Sequence, residues 1–130
     1  SRGDDSGTHI RERKLWGDAL PSDAPFYLSA GQGMGACLVL ASEKQGYVLA
    51  DRGTFLAFAD RIDLEVVVEG DPALRNPYGV IRVDPKRHEG VHDREAHELI
   101  DYLTSDRGQT RIGEFRAHGE VLFHPASAKP

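Results

Sequence analysis

Apolar positions along the chain repeat with two periods, and the changes of period mark the elements. Ala96, Leu99, Ile100 and Leu103 fall at i, i+3, i+4 and i+7, the stripe of an amphipathic helix beginning near Asp93. Residues 34–44 are apolar on nearly every side, which predicts a buried helix ending before Gly46. Residues 64–68 are β-branched and bounded by Asp63 and by Gly70, Asp71 and Pro72, the clearest strand pattern in the chain. A second strand is expected over 78–83, closed by Asp84 and Pro85, with shorter ones over 25–28, 47–49 and 121–123, the last running into a loose tail. Local signals place three further helices. Ser6 or Asp5 caps one that runs to about Trp16 and is stopped by Gly17 and then Pro21. Asp51 caps a short one through Phe58, and a weaker one spans 106–115, where Gly108 and Gly113 lower the propensity. Helices alternate with strands, so the fold class is α/β; no internal repeat is present.

Composition narrows the function. The 130 residues carry a formal net charge of -5, with 28% charged and 39% hydrophobic residues, which describes an ordinary folded chain. No Lys/Arg cluster is dense enough for a nucleic-acid interface; the richest stretch, Arg11 to Lys14, is interrupted by Glu12. An acidic chain that binds an anion must therefore use local donors. The lone Cys37 excludes an intramolecular disulfide and sits in an apolar run as a small buried hydrophobe. No apolar stretch approaches the roughly 20 residues of a membrane span. The start at Ser1, without an initiator Met or signal-like segment, is expected of a processed or truncated product.

Local donors converge in the first nine residues. A helix start leaves backbone N–H groups without intrahelical partners, and the macrodipole adds positive potential there. Ser6 and Thr8 place hydroxyls beside those amides, Gly7 allows close approach to the backbone, and Arg2 offers a planar fork suited to two oxygens of an oxyanion. Asp4 facing the anion would repel it, so the expected arrangement turns Asp4 away to hold the Arg2 guanidinium. The bland alternative is that Ser6 only caps the helix. Arg2-Gly3-Asp4 also spells an adhesion tripeptide, a match too short to carry weight.

The run Arg2, Asp4, Ser6, Gly7, Thr8 resembles the anion-binding turn of periplasmic phosphate-binding proteins. The longer run from Ser1 to His9 resembles the tungstate-binding proteins of ABC importers, as do Gly31-Gln32-Gly33-Met34-Gly35, Leu49-Ala50-Asp51-Arg52-Gly53-Thr54-Phe55, Val68-Glu69-Gly70-Asp71-Pro72 and Asn76-Pro77-Tyr78-Gly79-Val80. Blocks around Leu103-Thr104-Ser105 and Leu122-Phe123 extend the likeness over essentially the whole chain. The resemblance implies a type II periplasmic-binding-protein fold of two lobes that close on ligand. Residues 1–76 would form lobe two and 77–130 the return into lobe one, with the first half of lobe one missing. It implies a tungstate or molybdate ligand, no other cofactor, delivery to an ABC permease in the membrane, and a periplasmic or extracytoplasmic location. The family's hydroxyl-rich segment that completes the anion cage has no match here.

Gly35, opening a helix after a glycine loop, and Arg52, after the strand end at Asp51, are further candidate ligand-binding residues beside Arg2, Ser6, Gly7 and Thr8. A surface salt bridge is the competing reading for Arg52. His88, His92 and His97 lack metal-site spacing, and the glycine loop lacks the spacing of a dinucleotide site. Ser6 and His9 mimic a nucleophile and base without an orienting third group, so no enzyme is expected. An oxyanion-sensing domain of a regulator is the alternative function, since its ligand site would look the same. The face of Ala96, Leu99, Ile100 and Leu103 is expected to mediate self-association or to meet a partner half.

Overall fold

The computed structural model describes residues 1–126, so the end of the expected tail lies outside the described residues. The chain divides into two compact units, Ser1–Arg75 and Asn76–Pro130.

The first unit is organised by three helices whose ends are set by single residues. Helix α1 (Gly7–Trp16) is capped by Ser6, whose Oγ accepts from the His9 N–H, and terminates at Gly17 with φ of 55°. Helix α2 (Met34–Lys44) ends where Gln45 turns left-handed and Gly46 donates back to the Ala41 carbonyl. Helix α3 (Arg52–Phe58) is capped by Asp51, which accepts from both the amide and the hydroxyl of Thr54. The core is small. Met34, Cys37 and Leu38 of α2 are buried, with Ala30, Val48, Ala50, Phe55, Phe58, Ile62 and Leu64 packed around them. Helix α1 buries no residue, and side-chain bonds hold it to the unit: Tyr27 Oη donates to Glu12, and Arg11 Nη2 donates to the Arg75 carbonyl.

The second unit contains α4 (Asp93–Thr104), α5 (Asp106–Glu114) and a short antiparallel hairpin of β1 (Arg116–Ala117) with β2 (Glu120–Val121). His118 and Gly119, with φ of 51° and 82°, make its two-residue turn. Phe123 meets the Tyr78 ring edge-on at 5.7 Å and lies 6.1 Å from the Phe115 ring. On α4 the expected apolar face is divided: Ala96, Ile100 and Leu103 are half-buried, whereas Leu99 is 54% exposed.

The helices agree closely with the pattern in the sequence; the strands do not. Residues 25–28 form a turn with the Tyr27 N–H on the Ala24 carbonyl, and 47–49, 64–68 and 78–83 are not part of any ladder. Only Val121 of the expected last strand pairs. The cause is physical: β-branched residues favour an extended backbone, but a strand exists only against a partner, and among the described residues the ladder is β1 with β2. No helix among the described residues is long and apolar enough to cross a membrane.

Candidate functional site

The opening segment is anchored before α1 begins. Ser1 N donates to the Leu28 carbonyl and the Ala30 N–H donates to the Ser1 carbonyl, so Ser1 runs alongside 28–30 in the bonding pattern of parallel strands. Both segments then lead into helices, α1 after Ser6 and α2 after Gly33. Gly3 has φ of 64°, and a Cβ there would stand 1.9 Å from the Ser29 hydroxyl, so only glycine allows the two loops to approach this closely. In α2, burial pushes the Cys37 thiol above its ordinary pKa, with smaller opposing contributions from the charges of the amino terminus and Arg2.

Within the turn, Asp4 is the organiser. Its Oδ2 accepts from Arg2 Nη2 at 2.6 Å and Nε at 3.1 Å, and its Oδ1 accepts from the Ser6 N–H at 3.2 Å. The Arg2 side chain is only 20% exposed. Asp4 is held at about 2, against an ordinary 3.8. Hydrogen bonding from the Ser6 side chain is the main cause; the Ser6 amide and the Arg2 guanidinium add to it, against the desolvation that opposes ionisation. A depressed carboxylate pKa stabilises the fold fully above 3.8 and ceases to do so as pH falls through about 2, so the arrangement stands charged at every physiological pH.

Several donors are left over. The His9 N–H goes to Ser6 Oγ and the Ile10 N–H to the Ser6 carbonyl, while His9 Nδ1 accepts from the Asp5 N–H. Among the described residues, the Gly7 and Thr8 amides, the Thr8 hydroxyl and Arg2 Nη1 make no hydrogen bond. Arg2, Ser6, Gly7 and Thr8 are thus brought into one turn, with Asp4 holding the Nε edge of the guanidinium. Chemically, this is a set of donors with an oriented positive charge, suited to oxygen-rich anions.

Gly35 lies in the first turn of α2, whose cap, Gly33, offers no side-chain acceptor. Its missing side chain has a packing reason: a Cβ there would come within 2.3 Å of the Phe58 ring, which also carries Arg61 at 5.7 Å from its centroid. Gly35→Ala is expected to push Phe58 aside and loosen α2 from α3, costing about 1–3 kcal/mol. A urea midpoint equal to that of the parent would contradict this packing. Arg52, the first residue of α3, gives Nη1 to Glu69 at 2.6 Å with its side chain 40% exposed, the arrangement of a surface ion pair. Ser29, against Gly3, and Ser1, whose Oγ is buried without a bonding partner, belong to this region and were not singled out from the sequence. The signal available for Ser29 was its place just ahead of Gly31 and Gly33. The turn is not enclosed. Two open concavities lie elsewhere, about 280 Å³ between Ile10, Arg13, Lys14, Gly17 and Leu20, and about 500 Å³ by Arg107, Thr110, Arg111, Glu114 and Phe115.

The donor-rich turn precedes α1, and α2 opens in the same unit. Residues 1–107 match the PBP superfamily domain, and the chain belongs to that superfamily. It is 42% identical over 132 residues to the tungstate-binding protein TupA of Peptoclostridium acidaminophilum, matching 99% of this chain and 46% of that protein. With the tungstate-binding protein TupA of Campylobacter jejuni it shares 38% over 129 residues, 95% of this chain and 48% of the other. Among solved structures, the tungstate binding protein TupA from Desulfovibrio alaskensis G20 superposes with a TM-score of 0.83 at 36% identity, covering 97% of this chain and 53% of that one. The tungstate ABC transporter structure from Geobacter sulfurreducens gives 0.78 at 41% identity, covering 88% and 49%. The chain spans about half the length of these relatives. The fold class expected from the sequence is the one this family has.

Proposed function

We propose that the chain supplies the anion-gripping part of the substrate-binding component of an ABC importer for tungstate or molybdate. The carrying observation is the turn itself: unengaged amides of Gly7 and Thr8 and the Thr8 hydroxyl stand beside an Arg2 guanidinium whose other edge Asp4 holds. The names of the relatives, binding proteins for tungstate, favour that ligand over other oxyanions. A donor-only set also fits an unprotonated dianion, whereas phosphate near neutrality carries a proton that requires an acceptor.

On this reading the Ser6 hydroxyl joins the ligand by turning its proton from Asp4 to the anion, and Gly35 contributes an amide from the start of α2. Arg52 adds charge only if it leaves Glu69. Residues 1–76 belong to one lobe and 77–130 return to the other, as the family resemblance implies. The mechanism is capture, closure and hand-over to a membrane permease on the extracytoplasmic side, without covalent chemistry; no cofactor beyond the oxyanion takes part. Calorimetry with tungstate, molybdate, sulfate and phosphate tests the reading. Heat of binding with the first two and much weaker heat with phosphate is expected; no heat with any of the four overturns it.

A further inference from the structure

The anion turn is braced by a residue that is not among its free donors. His9 is the third residue of α1, where a glutamate or glutamine commonly reaches back to the amide before the helix. Here the Ser6 N–H at that place is already taken by Asp4 Oδ1, at 3.2 Å, and His9 Nδ1 accepts one residue further back, from the Asp5 N–H at 3.0 Å. A backbone N–H can only donate, so Nδ1 is the bare nitrogen and the ring hydrogen is on Nε2. The same residue's own amide donates to Ser6 Oγ at 3.4 Å. His9 thus bonds to both residues ahead of the helix, once through its ring and once through its backbone, and its side chain is only 14% exposed.

What the ring holds is a peptide plane. The Asp5 N–H belongs to the Asp4–Asp5 peptide, and Asp5 stands at φ of 56°, a left-handed conformation that residues with a side chain rarely adopt. Turning that peptide over would return Asp5 to negative φ and put the Asp4 carbonyl oxygen where the N–H now points. Asp4 holds the Arg2 guanidinium and the Ser6 amide, so the change would disturb both, and with them the amides of Gly7 and Thr8 that follow. The acceptor is also uncharged. The first turn of α1 holds no acidic residue, although a carboxylate there favours a helix through its dipole. A carboxylate at position 9 would serve the cap but repel an anion at the free amides, and Asp5 Oδ1, 3.5 Å from Nδ1, would repel it in turn.

We propose that His9 is a positioning residue for the anion turn: an uncharged acceptor that locks the Asp4–Asp5 peptide and so aims the Gly7 and Thr8 amides, without itself touching the anion. This role rests on the anion reading above and adds to it the residue that keeps the donors aimed before the ligand arrives. A turn already held in its binding geometry loses less freedom on binding, which is gained as affinity. All the bonds involved lie within residues 2–10.

Three variants separate the acceptor from the bulk of the ring and from charge. His9→Asn puts an uncharged oxygen where Nδ1 stands, His9→Asp does the same with a charge, and His9→Phe keeps a ring without an acceptor. Calorimetric titration with tungstate is expected to give His9→Asn within about threefold of the parent and the other two about tenfold or more weaker, all with parental helical circular dichroism. Amide exchange of the ligand-free proteins should show the Asp5 N–H slowed about tenfold or more in the parent and in His9→Asn relative to His9→Phe. A role in packing alone would spare His9→Phe, and a ring that gave its Nε2–H to the anion would leave His9→Asn as weak as His9→Phe. Either result overturns the proposal, as does an Asp5 amide that exchanges equally fast in all of these proteins, or His9→Asp binding as tightly as His9→Asn. The two readings fail separately. A parent that binds none of tungstate, molybdate, sulfate and phosphate overturns the anion reading, whereas a parent that binds tungstate no better than His9→Phe does overturns only the role of His9.

Discussion

Arg2→Ala is expected to weaken tungstate binding by about 100-fold or more, the largest loss any single substitution in the turn should produce. The guanidinium supplies a full positive charge in the turn, and charge-assisted hydrogen bonds contribute about 1.5–3 kcal/mol each. Removing one partner of a hydrogen-bonded charge pair costs about 2–5 kcal/mol, and each 1.4 kcal/mol is tenfold in affinity. A second effect adds to the loss. Asp4 is ionised at any pH above about 2, and without Arg2 its charge stands uncompensated beside the incoming anion. The double variant Arg2→Ala with Asp4→Asn should therefore recover about tenfold of the lost affinity, and Arg2→Lys, which keeps the charge but loses the planar fork, should fall between. Calorimetric titration of the four proteins under conditions where the parent binds reads all three comparisons. Undiminished affinity in Arg2→Ala would remove the basis for placing the anion at this turn.

The turn was legible in the sequence because its logic is local. Arg2, Asp4, Ser6 and Thr8 lie within seven residues, and the cap, the ion pair and the free amides all follow from that spacing. The same holds for helix ends: Ser6, Asp51 and Ser105 each set a start through a bond to the third residue beyond. Legibility failed wherever the partner is distant. Ser29 meets Gly3 across a loop, Glu69 reaches Arg52 from seventeen positions away, and Phe58 explains Gly35 although nothing in the local pattern of either residue announces it. Strands failed for the same reason in stronger form. β-Branched and aromatic residues announce an extended backbone, but pairing is a property of two segments, and among the described residues 47–49, 64–68 and 78–83 join no ladder. The helix stripe of α4 was correctly periodic, yet which part of it is covered depends on its packing against α5, which places Leu99 outward and Ile100 inward.

Gly108 shows how a residue read as a weakness can be a requirement. In the sequence it lowers the propensity of α5, and replacing it with alanine should on that ground stabilise the helix by about 1 kcal/mol. The structure reverses the sign. Ser105 joins α4 to α5 by closing one and opening the other: its amide and hydroxyl donate to the Tyr102 carbonyl, at 3.2 and 2.7 Å, while its Oγ accepts from the Gly108 N–H at 3.1 Å. That fold-back brings Gly108 against the end of α4, where a Cβ would stand 2.0 Å from the Tyr102 carbonyl oxygen. Because the obstacle is backbone already held by two bonds, no side-chain rotation relieves it. Gly108→Ala must separate the helices, losing the shared cap at about 1 kcal/mol and adding overpacking of about 1–3 kcal/mol, so the net expectation is a destabilisation of about 2 kcal/mol. In a unit of this size that lowers the melting temperature by about 10 °C, read by the loss of helical circular dichroism on heating. Gly113→Ala provides the control on the same helix. Its Cβ would meet only the Pro125 ring, at 2.7 Å, near the end of the described chain, where a small shift relieves the contact, so this variant should be neutral or slightly more stable. If both alanines raise the melting temperature equally, propensity alone governs α5 and the Ser105 junction does not constrain it.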